Sequence, residues 1–141
     1  MTLIEIMVVM VILGLLATVI GMKVFDSLEE AKVQTAKTQA QSLVGALSQF
    51  RLKCGNYPSA EQGIPALIEA PTSGKACKRY PTGGFLDRLP KDPWDNDYQF
   101  ANPGTHNVNG VDVWSMGKDG ESGSEDDIGN WEDAGKEGEG T

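Results

Sequence analysis

From Thr2 to Met22 the chain carries a single ionisable side chain, Glu5, inside an otherwise apolar run. About 20 apolar residues suffice to span a bilayer as a helix. A cleavable secretory signal needs a basic stretch before the apolar run and a small-residue cleavage site after it. Neither flanks this run. A buried core helix would show a polar face, and none begins before Lys23. Residues 1–22 are therefore predicted to form a transmembrane helix. A lone carboxylate at the bilayer centre costs about 2.5 kcal/mol or more, so it marks either function or a helix end that reaches the headgroups. The functional reading asks for a cation from another subunit, and an N-terminal amine is of the right kind. Gly14 and Gly21 permit either local unwinding or close helix packing.

Beyond Met22 the helical pattern continues with a changed face. Residues 23–54 contain no proline, and Ala36, Ala40, Leu43, Leu47, Phe50 and Cys54 recur at steps of three or four. That spacing predicts one apolar stripe on an amphipathic helix. Gly55 and Pro58 then end it. Phe25, Leu28 and Val33 are expected to pack between subunits. Residues 55–141 form the remaining domain, with a short helix expected over 60–69 and strands over 97–100 and 111–115, joined through a turn at 107–110. Pro90 and Pro93 preclude a central strand between them. The predicted fold class is α+β: a long N-terminal helix packed on a small antiparallel sheet, with an acidic loop at the C-terminal end.

Charge excludes some functions. The net charge is −8, and residues 119–139 hold nine carboxylates against one lysine. Nucleic acid as the main partner requires a basic face, which is missing. His106 is the only histidine and lies in a loop without a nucleophile and orienting partner nearby in sequence. Trp94, Trp114 and Trp131 read as packing residues. No enzyme is expected.

Asp119, Asp126 and Asp127 are hard oxygen donors of the kind calcium selects, although their spacing is not that of an EF-hand. On pattern alone a solvated acidic loop is the favoured reading over a calcium site. Cys54 and Cys77 are the only cysteines. They form neither a CxxC nor a metal pattern. An oxidising compartment would favour a disulfide between them; the alternative is one buried and one surface thiol.

The start, Thr2-Leu3-Ile4-Glu5-Ile6-Met7-Val8-Val9, resembles the mature N-terminus of the type IV pilin superfamily. Residues 56–63, 89–94, 115–117 and 126–131 together resemble the major-pseudopilin family of type II secretion systems. The resemblance reaches to about Trp131. It implies a mature chain whose basic leader was removed by a prepilin peptidase. It further implies a single-pass inner-membrane protein that polymerises into a periplasmic helical filament driving export of folded proteins across the outer membrane. The implied partners are other copies of the chain, minor pseudopilins, the inner-membrane assembly platform and secreted proteins. Glu5 is implied to pair with the N-methylated amine of Met1 on a neighbouring copy. The family typically has Phe where this chain has Met1, and often Pro where it has Met22, the point of melting on assembly; this chain offers Gly21 instead, which weakens the expectation of melting between Gly14 and Met22.

The resemblance also implies a Ca²⁺ site: carboxylates from Asp119, Asp127 and Asp126, main-chain oxygens from Met116 and Glu121, and an oxygen from Ser124. Two other classes stand beside the secretion fibre. One is a pilin for motility, adhesion or DNA uptake, which usually carries a cysteine-closed C-terminal loop. The other is a calcium-binding membrane protein that never polymerises, against which the unpaired Glu5 argues.

Overall fold

The computed structural model describes residues 2–131. The element order is α1 (Leu3–Cys54), a 3-10 turn (Ile64–Leu67), β1 (Gln99–Ala101), β2 (Asp112–Ser115) and β3 (Ile128–Gly129). The chain separates into two compact units, divided between Lys32 and Val33, inside α1. This boundary lies within the predicted amphipathic segment 23–54, because burial on the helix begins only at Ala36.

In the first unit the helix starts at Thr2. The Glu5 amide donates to Thr2 Oγ1 at 3.3 Å and the Ile6 amide to Thr2 O at 3.4 Å. Thr2 thus satisfies amide donors that every helix start leaves open. The segment that follows is long and apolar enough to cross a bilayer, and none of it is buried within the chain. Leu3, Met10, Leu15, Ile20 and Phe25 are all exposed. A Cβ added at Gly14 or Gly21 would meet open space.

The second unit is built on the other part of α1. Ala36, Ala40, Leu43, Leu47 and Phe50 are buried as their spacing predicts, joined by Ala46, while Cys54 is half-buried. Small residues early in the stripe and large ones later let other elements approach at one end and interdigitate at the other. Ile64, Ala66, Leu67, Tyr98, Val111 and Val113 pack against this face. Phe50, Tyr80 and Phe85 form a three-ring cluster with centroids 5.4–6.4 Å apart. The Tyr98 hydroxyl donates to Gln39 Oε1, tying the sheet to the helix. Burial, and then the negative charge of Asp92, push the Tyr98 phenol well above its ordinary pKa. Gly55 ends the helix at φ +88°, its amide donating to Arg51 O at 2.7 Å.

The sheet is antiparallel in the order β1-β2-β3. Phe100 pairs with Val113, and Ser115 with Ile128. The turn at 107–110 closes through the Gly110 amide on Asn107 O, at 2.9 Å. Two expectations shift. The helix expected over 60–69 shrinks to a turn and the 3-10 segment, since Gly63 enters at φ +61° and Pro65 removes an amide donor. The third strand, β3, is two residues long and was not foreseen, because so short a segment shows no alternation. Gly84 is fixed by proximity: a Cβ there would lie 2.7 Å from Ile68 O.

Leu47 is fully buried at the centre of the stripe. Leu47→Ala is expected to destabilise the chain by about 2–5 kcal/mol. Thermal unfolding in detergent micelles checks this; an unchanged melting temperature would contradict the packing described.

Candidate assembly end and acidic loop

Glu5 is exposed on the apolar helix, in its first turn. Among the described residues no cation lies within ion-pair reach of its carboxylate. Met1, its expected counterpart on a neighbouring copy, lies outside the described residues. Thr2 was not singled out in the sequence as the helix cap. The signal was present: Thr2-Leu3-Ile4-Glu5 has the Thr-x-x-Glu spacing of a capping box.

The acidic loop runs from the end of β2 to β3. Its residues tie one another down. The Glu121 amide donates to Asp119 Oδ1 at 3.0 Å, and the Ser124 hydroxyl to Glu121 O at 3.1 Å. The Gly123 amide donates to Asp127 Oδ2 at 2.6 Å, and the Asp127 amide to Ser124 O at 3.3 Å. The Glu121 amide, followed by the Ser124 hydroxyl, holds the Asp119 carboxyl below the usual carboxylate range. Asp127 Oδ1 is buried and has no hydrogen-bond donor. Gly117 sits at φ +71° against the main chain of Asp126, where no side chain would fit. Asp126 itself is exposed. Among the described residues no three His, Cys, Asp or Glu side chains gather as a metal cluster. Asp119 and Asp127 are thus each drawn into the loop's own hydrogen bonds.

Two buried carboxylates outside this loop organise the neighbouring turns. Asp92 accepts from the Trp94 and Asn96 amides at 3.1 and 2.7 Å, and from the Ser115 hydroxyl at 2.6 Å. Asp112 accepts from the His106 amide at 2.8 Å and from the Asn107 amide and side chain, each at 3.0 Å. His106 Nδ1 lies 3.3 Å from Asp112 Oδ2, and its ring stacks on Trp131 at 3.9 Å. Sequence reading passed over both aspartates, because a buried Asp in a short strand or turn resembles any loop carboxylate. The Trp114 indole donates to Ser122 Oγ at 3.1 Å, while the Trp94 Nε1 is buried without a partner.

Cys54 and Cys77 are joined in a disulfide with Cα atoms 4.7 Å apart. It fastens the end of α1 to the segment around 71–79.

Burial alone would raise the Asp112 carboxyl, but the hydrogen bonds from His106 and Asn107 outweigh it and hold it below the usual range. Its stabilisation is therefore complete above the unfolded carboxylate pKa of about 3.9 and is lost as pH falls through the lower folded value. Melting temperature in chelator-containing buffer should fall from about pH 4 downward. Asp112→Asn should cost about 1–3 kcal/mol at neutral pH and flatten that acid limb. An unaltered limb would show that Asp112 does not carry it.

Comparison with known proteins places these features in context. The family model for protein G of the type II secretion system matches residues 23–131. A type II secretion system core protein G from Pectobacterium carotovorum is 47% identical over 130 residues, covering 92% of this chain and 82% of that protein. The corresponding protein of Klebsiella pneumoniae is 45% identical, with 92% and 91% covered. Among solved structures, the major pseudopilin from the type 2 secretion system of enterohaemorrhagic Escherichia coli matches with a TM-score of 0.70 at 39% identity. That match covers 75% of this chain and 87% of the other.

Proposed function

The chain belongs to the protein G family of type II secretion systems, and we propose how its parts perform the work of that family. It is a structural subunit of the secretion pseudopilus rather than an enzyme or a motility pilin. Its apolar N-terminal helix anchors it in the inner membrane before assembly into a periplasmic filament. Family membership also implies assembly with other components of the same system. The finer partners are the minor pseudopilins, the inner-membrane platform, the prepilin peptidase and the exported proteins.

The observation that carries the assembly mechanism is Glu5. It is the only ionisable group from Thr2 to Met22, it is exposed, and it has no cation in reach among the described residues. In lipid such a carboxylate favours any arrangement that brings it a counter-charge. The Met1 amine of an adjacent copy provides one, and the exposed apolar face of α1 can then pack on its neighbours. Gly14 and Gly21, open in the isolated chain, allow either close packing or melting there.

Deleting the gene should abolish release of specific proteins into the medium, with recovery on complementation by the parent chain but not by Glu5→Ala. A parent chain that restores motility or DNA uptake, with no change in released proteins, would overturn the secretion role.

The acidic loop is proposed to hold Ca²⁺, through Asp119, Asp127 and Asp126 carboxylates, Met116 and Glu121 main-chain oxygens and Ser124. The fit rests on the buried, unpartnered Asp127 Oδ1, which lacks a donor and is suited to a cation. The low-pKa Asp119 carboxylate is ionised over the whole physiological range. Calcium, when bound, would supply positive charge to the carboxylates of the loop. Asp119 and Asp127 orient the loop through the Glu121 and Gly123 amides whether or not an ion is present. The full-length chain in detergent is expected to melt at higher temperature with calcium than with chelator. Asp127→Ala should abolish that difference, and a parent chain indifferent to calcium would sink the site.

A further inference from the structure

The Cys54–Cys77 disulfide brings two cationic stretches together. Arg51 and Lys53 lie on the helix side; Lys75, Lys78 and Arg79 lie on the other. All five are exposed. Arg51 lies over the Tyr57 ring, 5.2 Å from its centroid. Among the described residues, none of the other four has a carboxylate within ion-pair distance. The chain has 12 Lys and Arg against 20 Asp and Glu, so five of its few cations converge on one covalent bond. Like charges gathered near one bond repel unless a counter-charge arrives.

An apolar anchor lies beside them. Leu52 is 84% exposed, at a shallow groove lined by Gln49, Lys53, Pro81, Gly84 and Phe85. An apolar centre with a charged rim is the anatomy of a protein interface.

We propose that this face docks on the carboxylates of Glu121 and Glu125 of a neighbouring copy. The inference rests on the fibre reading above. A fibre repeating one chain without closing uses two different, mutually complementary patches of the same chain. The acidic loop supplies the complement: residues 119–127 carry five carboxylates and no cation. Asp119 and Asp127 are engaged within the loop, whereas the Glu121 and Glu125 side chains are exposed and make no ion pair among the described residues. The role proposed for Glu121 toward calcium uses its main-chain oxygen, leaving its carboxylate for the neighbour.

The test is a charge exchange in the full chain, expressed in the deletion strain, with sheared filaments quantified by immunoblot. Thiol labelling first establishes that each variant forms the 54–77 disulfide as the parent does. Lys75→Glu/Lys78→Glu/Arg79→Glu is expected to reduce filaments roughly tenfold, as is Glu121→Lys/Glu125→Lys, because like charges then face each other across the contact. The combined five-residue variant is expected to recover them. Filaments undiminished by either reversal, or diminished without recovery in the combination, would overturn the proposal. Glu5→Ala separates the two readings. If it abolishes filaments while the reversals do not, the surface is wrong and the fibre stands. If it too changes nothing, both fall.

Discussion

One helix must satisfy two surroundings, and the rest of the chain follows from that division. From Leu3 to Met22, α1 exposes apolar side chains all round apart from Glu5, which is stable only in lipid or against other apolar helices. From Ala36 it buries one stripe and wets the other face, as a helix does when it covers a small domain. The change is made by composition alone. Glutamine, lysine and threonine replace valine, isoleucine and leucine off the stripe, while no proline interrupts the helix. Among the described residues the sheet has three strands of three, four and two residues. It depends on α1 for its core, through Leu43, Leu47 and Phe50 against Val111, Val113 and Tyr98.

Much of this was legible in the sequence because periodicity reports burial directly. The stripe from Ala36 to Phe50, the stop at Gly55 and the two longer strands each leave a repeating signal. The elements that escaped leave none. β3 is two residues held by pairing with β2, so its existence depends on long-range contacts that no local window contains. Asp92 and Asp112 look like loop aspartates until the fold buries them under amide donors. The N-cap at Thr2 did leave a signal, but it lies where the carboxylate of Glu5 draws attention to charge rather than to capping. At the acidic loop the sequence supplied the donor types. It could not show that Asp119 and Asp127 would first be taken up by the loop's own amides.

The carboxylates of the second unit divide by what answers them. Asp92 and Asp112 are buried and accept several donors each, so they replace hydration with fixed hydrogen bonds and fasten turns to the sheet. Asp127 is answered on one oxygen only. A buried acceptor without a donor costs about 1–3 kcal/mol. A turn that retains such an atom leaves one acceptor unanswered, whereas the Asp112 carboxylate has donors on both oxygens. This asymmetry is what supports the proposed cation at the acidic loop and not at the Asp112 turn.

Polymerisation adds a further demand. The proposed pairing through Glu5 would act in the membrane and leaves open how the second units meet. A net charge of −8 on every copy would make uniformly acidic neighbours repel. Segregating the charge resolves this: cations gather where the disulfide joins α1 to the segment near Cys77, and carboxylates gather between β2 and β3. Copies related by a screw operation can then bring unlike faces together although their net charges are alike. The disulfide matters here for position as well as stability, because it ties the segment that carries Lys78 to the end of α1 that carries Lys53. On the proposed docking, the anchor in lipid would supply the drive to assemble and the segregated charge the register.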